Sequence, residues 1–231
     1  MICVLTMPGR PYLLQTLEDI DSSAQSQHRV IVSDCRTVPA DSTVRRHGWD
    51  SRPFDGAGTP GHNKWPFWHC LRAAAGTGSD LLFFEDDVRL SKNAARYAEH
   101  WLQVPGDLAW VSLYAPWGDS EVPWGLCKVR AAGFNFCQAL KIPNRTIQEL
   151  VGEANTGEME NSMLGGSDDV LREIGGRRKW SYGVHFPGVV QHVGEQSAVC
   201  TARTLSRERV SKTWLGLDFD ALILVNHVDY S

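Results

Sequence analysis

The run at 80–90, Asp-Leu-Leu-Phe-Phe-Glu-Asp-Asp-Val-Arg-Leu, sets three carboxylates on the end of an apolar strand. Leu81, Leu82, Phe83 and Phe84 form the continuous apolar stretch expected of a strand buried on both faces, and Glu85, Asp86 and Asp87 follow without a spacer. Burying three adjacent anions is costly, and the carboxyl end of a strand in an open α/β sheet is where ligands sit. A divalent cation carrying a phosphorylated ligand would neutralise them; an acidic turn after a core strand is the plain alternative. Ser167-Asp168-Asp169 puts two more carboxylates at a helix start, where capping and the helix dipole alone would account for both.

The elements that must position these groups follow from periodicity. Residues 2–6 read as a short strand, Leu13, Leu14, Leu17 and Ile20 as a helix face, and 29–33 as a second strand ending in Asp34. A right-handed parallel crossover brings both strand ends to one sheet edge, which makes Thr6, Arg10 and Asp34 candidates for holding a nucleotide, or else turn residues and a solvated charge. Residues 37–62 are rich in Gly and Pro and carry Arg45-Arg46-His47-Gly48-Trp49, a loop able to fold over phosphates or an acceptor. From Asn63 a helix through Trp65, Trp68, Leu71 and Ala75 ends at Gly76-Thr77-Gly78.

After the acidic run, Ser91 should cap a helix through Ala94, Ala98 and Leu102 that Pro105-Gly106 stops. Residues 108–114 read as a strand, and 115–125 as turns with Trp117 and Trp124, which could stack on a sugar or base or fill a hydrophobic pocket. Residues 133–142 alternate as a strand, Pro143-Asn144 opens a helix, the helix from Ser167 should end at Gly175-Gly176, 180–190 is strand-like, and 203–231 reads as an irregular wrap.

The 231 residues suffice for one domain with a sizeable core, and a net charge of -4 gives no global drive toward nucleic acid. Six scattered cysteines without a Cys-x-x-Cys pair point to buried thiols rather than a disulfide frame or a zinc site. With no basic-flanked signal segment and no bilayer-length apolar run, the expectation is a soluble, cytoplasmic protein with no membrane partner.

Together the opening strand with Thr6 and Arg10, Phe84-Glu85-Asp86-Asp87-Val88, the segment 133–143, Ser167-Asp168-Asp169-Val170-Leu171 and Val190-Gln191-His192-Val193-Gly194 occur in an order that resembles the nucleotide-sugar-dependent glycosyltransferases of the GT-A fold. The resemblance implies an α/β fold, a single Rossmann-like GT-A domain at 1–200 with a mostly parallel central sheet flanked by helices. Residues 1–115 would bind the nucleotide and 116–200 the acceptor, with 201–231 a tail packed on the same domain. It implies that Glu-Asp-Asp stands for the Asp-x-Asp (DXD) motif, with Glu85 facing the nucleotide and Asp87 and His192 holding Mn2+ or Mg2+. It assigns Asp169 as the base that deprotonates the acceptor, with Asp168 contacting the acceptor and the two roles open to exchange. Asp34 would meet the nucleotide base, Thr6, Arg10, Asn63, Lys64 and Asp86 would complete the donor site, and the donor would be a UDP-sugar. The implied enzyme is an inverting glycosyltransferase of hexosyltransferase type, acting on a glycan, protein or small molecule. Arg177, Arg178, Lys179, Arg203, Arg207, Arg209 and Lys212 leave a hydroxymethylated pyrimidine in DNA open as acceptor. An inactive nucleotide-sugar or carbohydrate-binding protein, and a phosphatase or nucleotidyltransferase using the same carboxylates, are the competing classes.

Overall fold

The computed structural model describes residues 1–6, 11–25, 28–33, 49–53, 64–118, 122–154, 166–193 and 211–226. Its strands are β1 (Ile2–Thr6), β2 (Arg29–Ser33), β3 (Asp50–Pro53), β4 (Leu81–Glu85), β5 (Val88–Leu90), β6 (Val111–Ser112), β7 (Gly125–Arg130), β8 (Ala139–Ile142), β9 (Ser181–Phe186) and β10 (Val190–His192). The helices are α1 (Leu13–Asp21), α2 (Lys64–Thr77), α3 (Ala94–His100), α4 (Asn144–Ala154) and α5 (Ser167–Arg177).

Eight strands form one sheet in the order β3-β2-β1-β4-β8-β6-β9-β7, and β5 pairs with β10 in a separate two-stranded ribbon. β1 lies between β2 and β4 and is parallel to both, β3 extends the parallel block, and β8 runs against its neighbours β4 and β6. β9 is again parallel to β6, and β7 closes the sheet antiparallel to β9. The expected α/β fold with a mostly parallel sheet and flanking helices is what the chain adopts.

Period-two alternation divides the core. Cys3, Leu5, Val30, Val32 and Phe83 face one side with α2, α4 and α5, while Ile2, Val4, Ile31, Leu82 and Phe84 face the other with α1, α3 and the 3-10 turn Ala221–Asn226. Both faces of β1 and β4 are covered, which is why these strands read as unbroken apolar runs. The chain proceeds from β1 outward to β2 and β3, then returns through α2 to lay β4 on the opposite side of β1. The carboxyl ends of β1 and β4 therefore flank a topological switch point, the crevice where ligands bind in open α/β sheets.

Several expectations change. Ser91 does not cap α3: its hydroxyl donates to the Gly216 carbonyl and accepts from Trp214 Nε1, both at 2.9 Å, and the N-cap position is Asn93 in a left-handed conformation. α3 ends at His100, well before Pro105-Gly106, because buried Lys141 donates to the Ala98 and Leu102 carbonyls at 2.7 Å and so satisfies its C-terminus. The strand expected at 133–142 shrinks to β8 preceded by a 3-10 turn, that at 108–114 shrinks to β6, β3 arises in a stretch read as loop, and β7 begins at the end of the turn segment and runs through residues given no assignment. The strand-like region at 180–190 is broken by a cis Phe186-Pro187 bond into β9 and the start of β10. Gly175 and Gly176 lie inside α5 rather than after it, and a Cβ at Gly175 would stand 2.5 Å from the Ala131 Cβ, so this glycine is a close-packing position. No helix among the described residues is long and apolar enough to cross a membrane.

Candidate active site

The acidic run leaves β4 at the switch point, as its position in the sequence requires. Asp86 is buried and its carboxylate accepts a 2.6 Å hydrogen bond from Thr6 Oγ1 at the end of β1, which ties the two strand ends across the crevice. α1 supports the turn from behind. The Thr16 hydroxyl lies 2.9 Å from the Asp86 carbonyl and 2.7 Å from that of Val88, and Asp19 accepts from Arg89 Nε at 2.7 Å and from the Leu90 backbone at 2.9 Å. Thr16 occupies the apolar stripe of α1 beside Leu13, Leu17 and Ile20, a hydroxyl at a core position that was the sequence signal for this role. Thr16, Asp19 and Arg89 are the supporting residues that sequence reasoning missed.

β5 continues from the acidic turn and pairs with β10, setting His192 opposite Val88 and bonding the Val193 amide to the Asp87 carbonyl at 2.8 Å. This ribbon brings together two residues over a hundred positions apart. His192 Nε2 stands 3.3 Å from Asp87 Oδ2, with both side chains at most 5% exposed. That separation is longer than the roughly 2.7–2.9 Å of a charge-assisted hydrogen bond. A carboxylate oxygen and an imidazole nitrogen turned toward one another form a donor pair suited to Mn2+ or Mg2+. Among the described residues no group of three His, Cys, Asp or Glu side chains could cage an ion by itself. A pair of this kind would suit only a cation that takes its remaining oxygens from substrate phosphates and water.

Glu85 ends β4 half-buried, and its amide donates to the Gln138 carbonyl at 2.9 Å. Beyond Gln138 lies Cys137, whose thiol burial pushes well up, with the negative charges of Glu85 and Asp168 adding to the rise and the Ser167 hydroxyl opposing it. Through Cys137 the acidic run and the start of α5 thus share one neighbourhood. The two aspartates there differ. Asp169 Oδ2 accepts from the Gly166 amide at 3.1 Å and its other oxygen binds Arg172, which also reaches Asn135 Oδ1 at 2.7 Å. Asp168 accepts from the Asp169 amide at 3.1 Å, and its carboxyl is pushed above the usual range by burial first and the Asp169 charge second.

Arg10, Asp34 and Asn63 lie outside the described residues, as do residues 45–48, Arg203, Arg207 and Arg209. Lys64 opens α2, whose N-terminal end approaches the same sheet edge. His185, seven residues before His192, is a core residue between Tyr97 and the Pro187 carbonyl, each 2.8 Å from one ring nitrogen. Arg177, Arg178 and Lys179 sit between the end of α5 and the start of β9, on the edge away from Asp87, and Arg178 pairs with Glu149 at 3.1 Å. Lys212 is exposed beside Ser211.

No protein-family model and no curated protein matches the chain. Solved structures do. The CTP:phosphocholine cytidylyltransferase LicC from Streptococcus pneumoniae superposes with a TM-score of 0.54 at 11% identity, over 83% of this chain and 93% of its own. Residues 1–349 of S. aureus TarS superpose with a TM-score of 0.51 at 14% identity, over 80% of this chain and 57% of that one. The glycosyltransferase GlyE of S. pneumoniae TIGR4 follows at a TM-score of 0.43 and 15% identity, over 78% of this chain and 44% of that one. The fold is therefore the Rossmann-like α/β fold that this chain shares with LicC and with residues 1–349 of TarS. One fold hosts many activities, so what this chain does is argued from the side chains at the switch point.

Proposed function

We propose that the protein is a metal-dependent, inverting glycosyltransferase that moves a sugar from a UDP-sugar to an acceptor hydroxyl. Asp87 and His192 would hold Mn2+ or Mg2+, and Glu85 would face the nucleotide. Thr6, with Arg10, Asp34, Asn63 and Lys64, would complete the donor site, while Asp86 braces it through its bond to Thr6. The cation, when bound, stabilises the charge that grows on the leaving diphosphate.

The observation that carries the reading is the contrast between the paired aspartates at the start of α5. Asp169 is engaged by the Gly166 amide and Arg172, which suits an anchor. Asp168 has the raised proton affinity that a general base needs, so we assign it the base and give Asp169 the positioning role, exchanging the order the resemblance suggested. Asp168 would take the proton of the acceptor hydroxyl as its oxygen attacks the anomeric carbon and the bond to the diphosphate oxygen breaks.

Nucleotidyl transfer is the second reading, favoured by the superposition on a cytidylyltransferase over most of both chains. A phosphate nucleophile is already anionic and needs no proton removed, so the tuned Asp168 supports transfer to a neutral hydroxyl instead. The deciding experiment incubates the protein with UDP-sugars or with CTP in the presence of Mn2+. Glycosyl transfer or donor hydrolysis releases UDP, whereas nucleotidyl transfer releases pyrophosphate. A protein that binds a UDP-sugar and never turns it over would be the inactive binding module.

A further inference from the structure

Trp117 follows the carboxyl end of β6 and leans on Phe186, the last residue of β9, with ring centroids 5.2 Å apart. β9 runs in the same direction as β4, so this indole stands on the same sheet edge as Glu85. Phe186 belongs to the core layer that also holds Cys137 and the apolar face of α5, which puts Trp117 on the same face of the sheet as Asp168. It is nevertheless 40% exposed, far from the pocket-filling use of a tryptophan. Trp124 is 43% exposed as well, but it packs on Phe219, which belongs to the opposite layer.

Two further observations narrow what the indole could meet. The carboxamide oxygen of Gln138, next to Glu85 and 95% buried by its 5% exposure, has no hydrogen-bond partner, so a ligand at this edge with hydroxyl groups would satisfy it. Among the described residues the edge carries Glu85, Asp86, Asp87, Asp168 and Asp169 against Lys64 and the Asp169-bound Arg172, while the basic cluster Arg177, Arg178 and Lys179 lies on the opposite edge. The described acids outnumber the described cations, so without a bridging metal ion a polyanion would meet a net like charge here. A neutral carbohydrate offers both a ring face that stacks on an indole and hydroxyls that donate.

Resting on the glycosyltransferase reading, we propose that Trp117 is a remote acceptor subsite that stacks on one sugar ring of an extended neutral glycan. Three strand spacings separate β4 from β9, about 14 Å along the edge. That span from the donor side of the crevice exceeds one sugar ring, so the subsite suits an oligosaccharide acceptor rather than a monosaccharide.

The test measures binding of cellohexaose, maltohexaose and the chitin hexamer, together with their di- and monosaccharides and a single-stranded dodecathymidylate, to the full chain by calorimetry. Expected is one hexamer that binds at least tenfold more tightly than its disaccharide. Trp117→Ala should remove that advantage, Trp117→Phe should keep most of it, and Trp124→Ala should leave it intact. Stabilisation by UDP with Mn2+ is measured on the same variants and should not change. Length-independent binding, no binding of any hexamer, equal effects of the Trp117 and Trp124 substitutions, or Trp117-dependent binding of the oligonucleotide instead would each overturn the subsite. Loss of UDP and Mn2+ stabilisation in the unmutated protein would overturn the glycosyltransferase reading separately.

Discussion

Asp168 and Asp169 are neighbours in sequence and would be indistinguishable there, since either fits a capped helix start. They separate because α5 places Arg172 one turn below Asp169, while burial raises the pKa of Asp168. Asp168→Asn should lower kcat on the order of a hundredfold or more while donor affinity holds, because only proton transfer is lost. Asp169→Asn should cost about 1 kcal/mol of stability through the weakened link to the Gly166 amide and Arg172, with a smaller loss of kcat. Equal kcat losses in the two variants would break the assignment. His185 yields a prediction of another kind. Burial depresses its pKa from 6.5 to about 4, so the folded state holds a neutral ring while the unfolded chain takes up a proton. Its contribution is complete above pH 6.5 and falls away as the pH drops toward 4, by about 2 kcal/mol at pH 5 and about 3 kcal/mol in full. Urea unfolding at pH 7 and pH 5 reads that slope, and His185→Gln should flatten it even though the variant starts from lower stability.

At the scale of elements, what the sequence disclosed depended on how many apolar positions each element repeats. α1, α2, α4 and α5 announce themselves through three or four core positions at helical spacing, and β1, β2 and β4 through apolar runs. β3 is Asp-Ser-Arg-Pro, β7 is a half-exposed edge strand, and β10 has three residues, so their pairing is decided by tertiary partners and no local period marks them. The Asp87 and His192 pairing depends on that last strand, which is why only the resemblance, and not spacing, suggested it. The hold of α1 on the acidic turn was likewise invisible, because a threonine in an apolar stripe has no unique partner until the fold supplies one. Thr16→Val should leave the Asp86 and Val88 carbonyls short of a donor, lower stability by about 1–2 kcal/mol and weaken the stabilisation by Mn2+. Thr16→Ser should restore both, and a Thr16→Val protein with unchanged metal response would show the turn to be held by other contacts. Gly175→Ala tests packing of α5 on the 3-10 turn Ala131–Gly133: the added methyl meets Ala131 and Trp110, and a loss of about 1–3 kcal/mol in chemical denaturation is expected.

For the molecule as a whole, the order of motifs disclosed the fold class better than any single motif did, because each piece must land on the carboxyl edge of one sheet for the set to make sense. Thr6, Glu85, Asp168 and His192 come from β1, β4, α5 and β10, and the fold gathers them from the full span of the chain. The reversal of strand order between β1 and β4 makes the crevice, and the buried Thr6 to Asp86 bond closes its floor. A nucleotide bridging this crevice links the parallel block to the β5 and β10 ribbon, so it should stabilise the chain as a unit rather than one loop. With Mn2+ present and the correct donor at about a hundredfold over its Kd, linkage adds about 2.7 kcal/mol, which corresponds to a Tm rise of roughly 5–10 °C for a chain of this size. Asp87→Ala and His192→Ala should each remove most of that rise, because the donor's diphosphate would lose the cation that couples it to both strands. The readout is a melting curve with UDP-sugars, CTP and Mn2+ in turn. A rise with CTP alone, retained in both variants, would favour the nucleotidyltransferase reading and release Asp87 and His192 from metal binding.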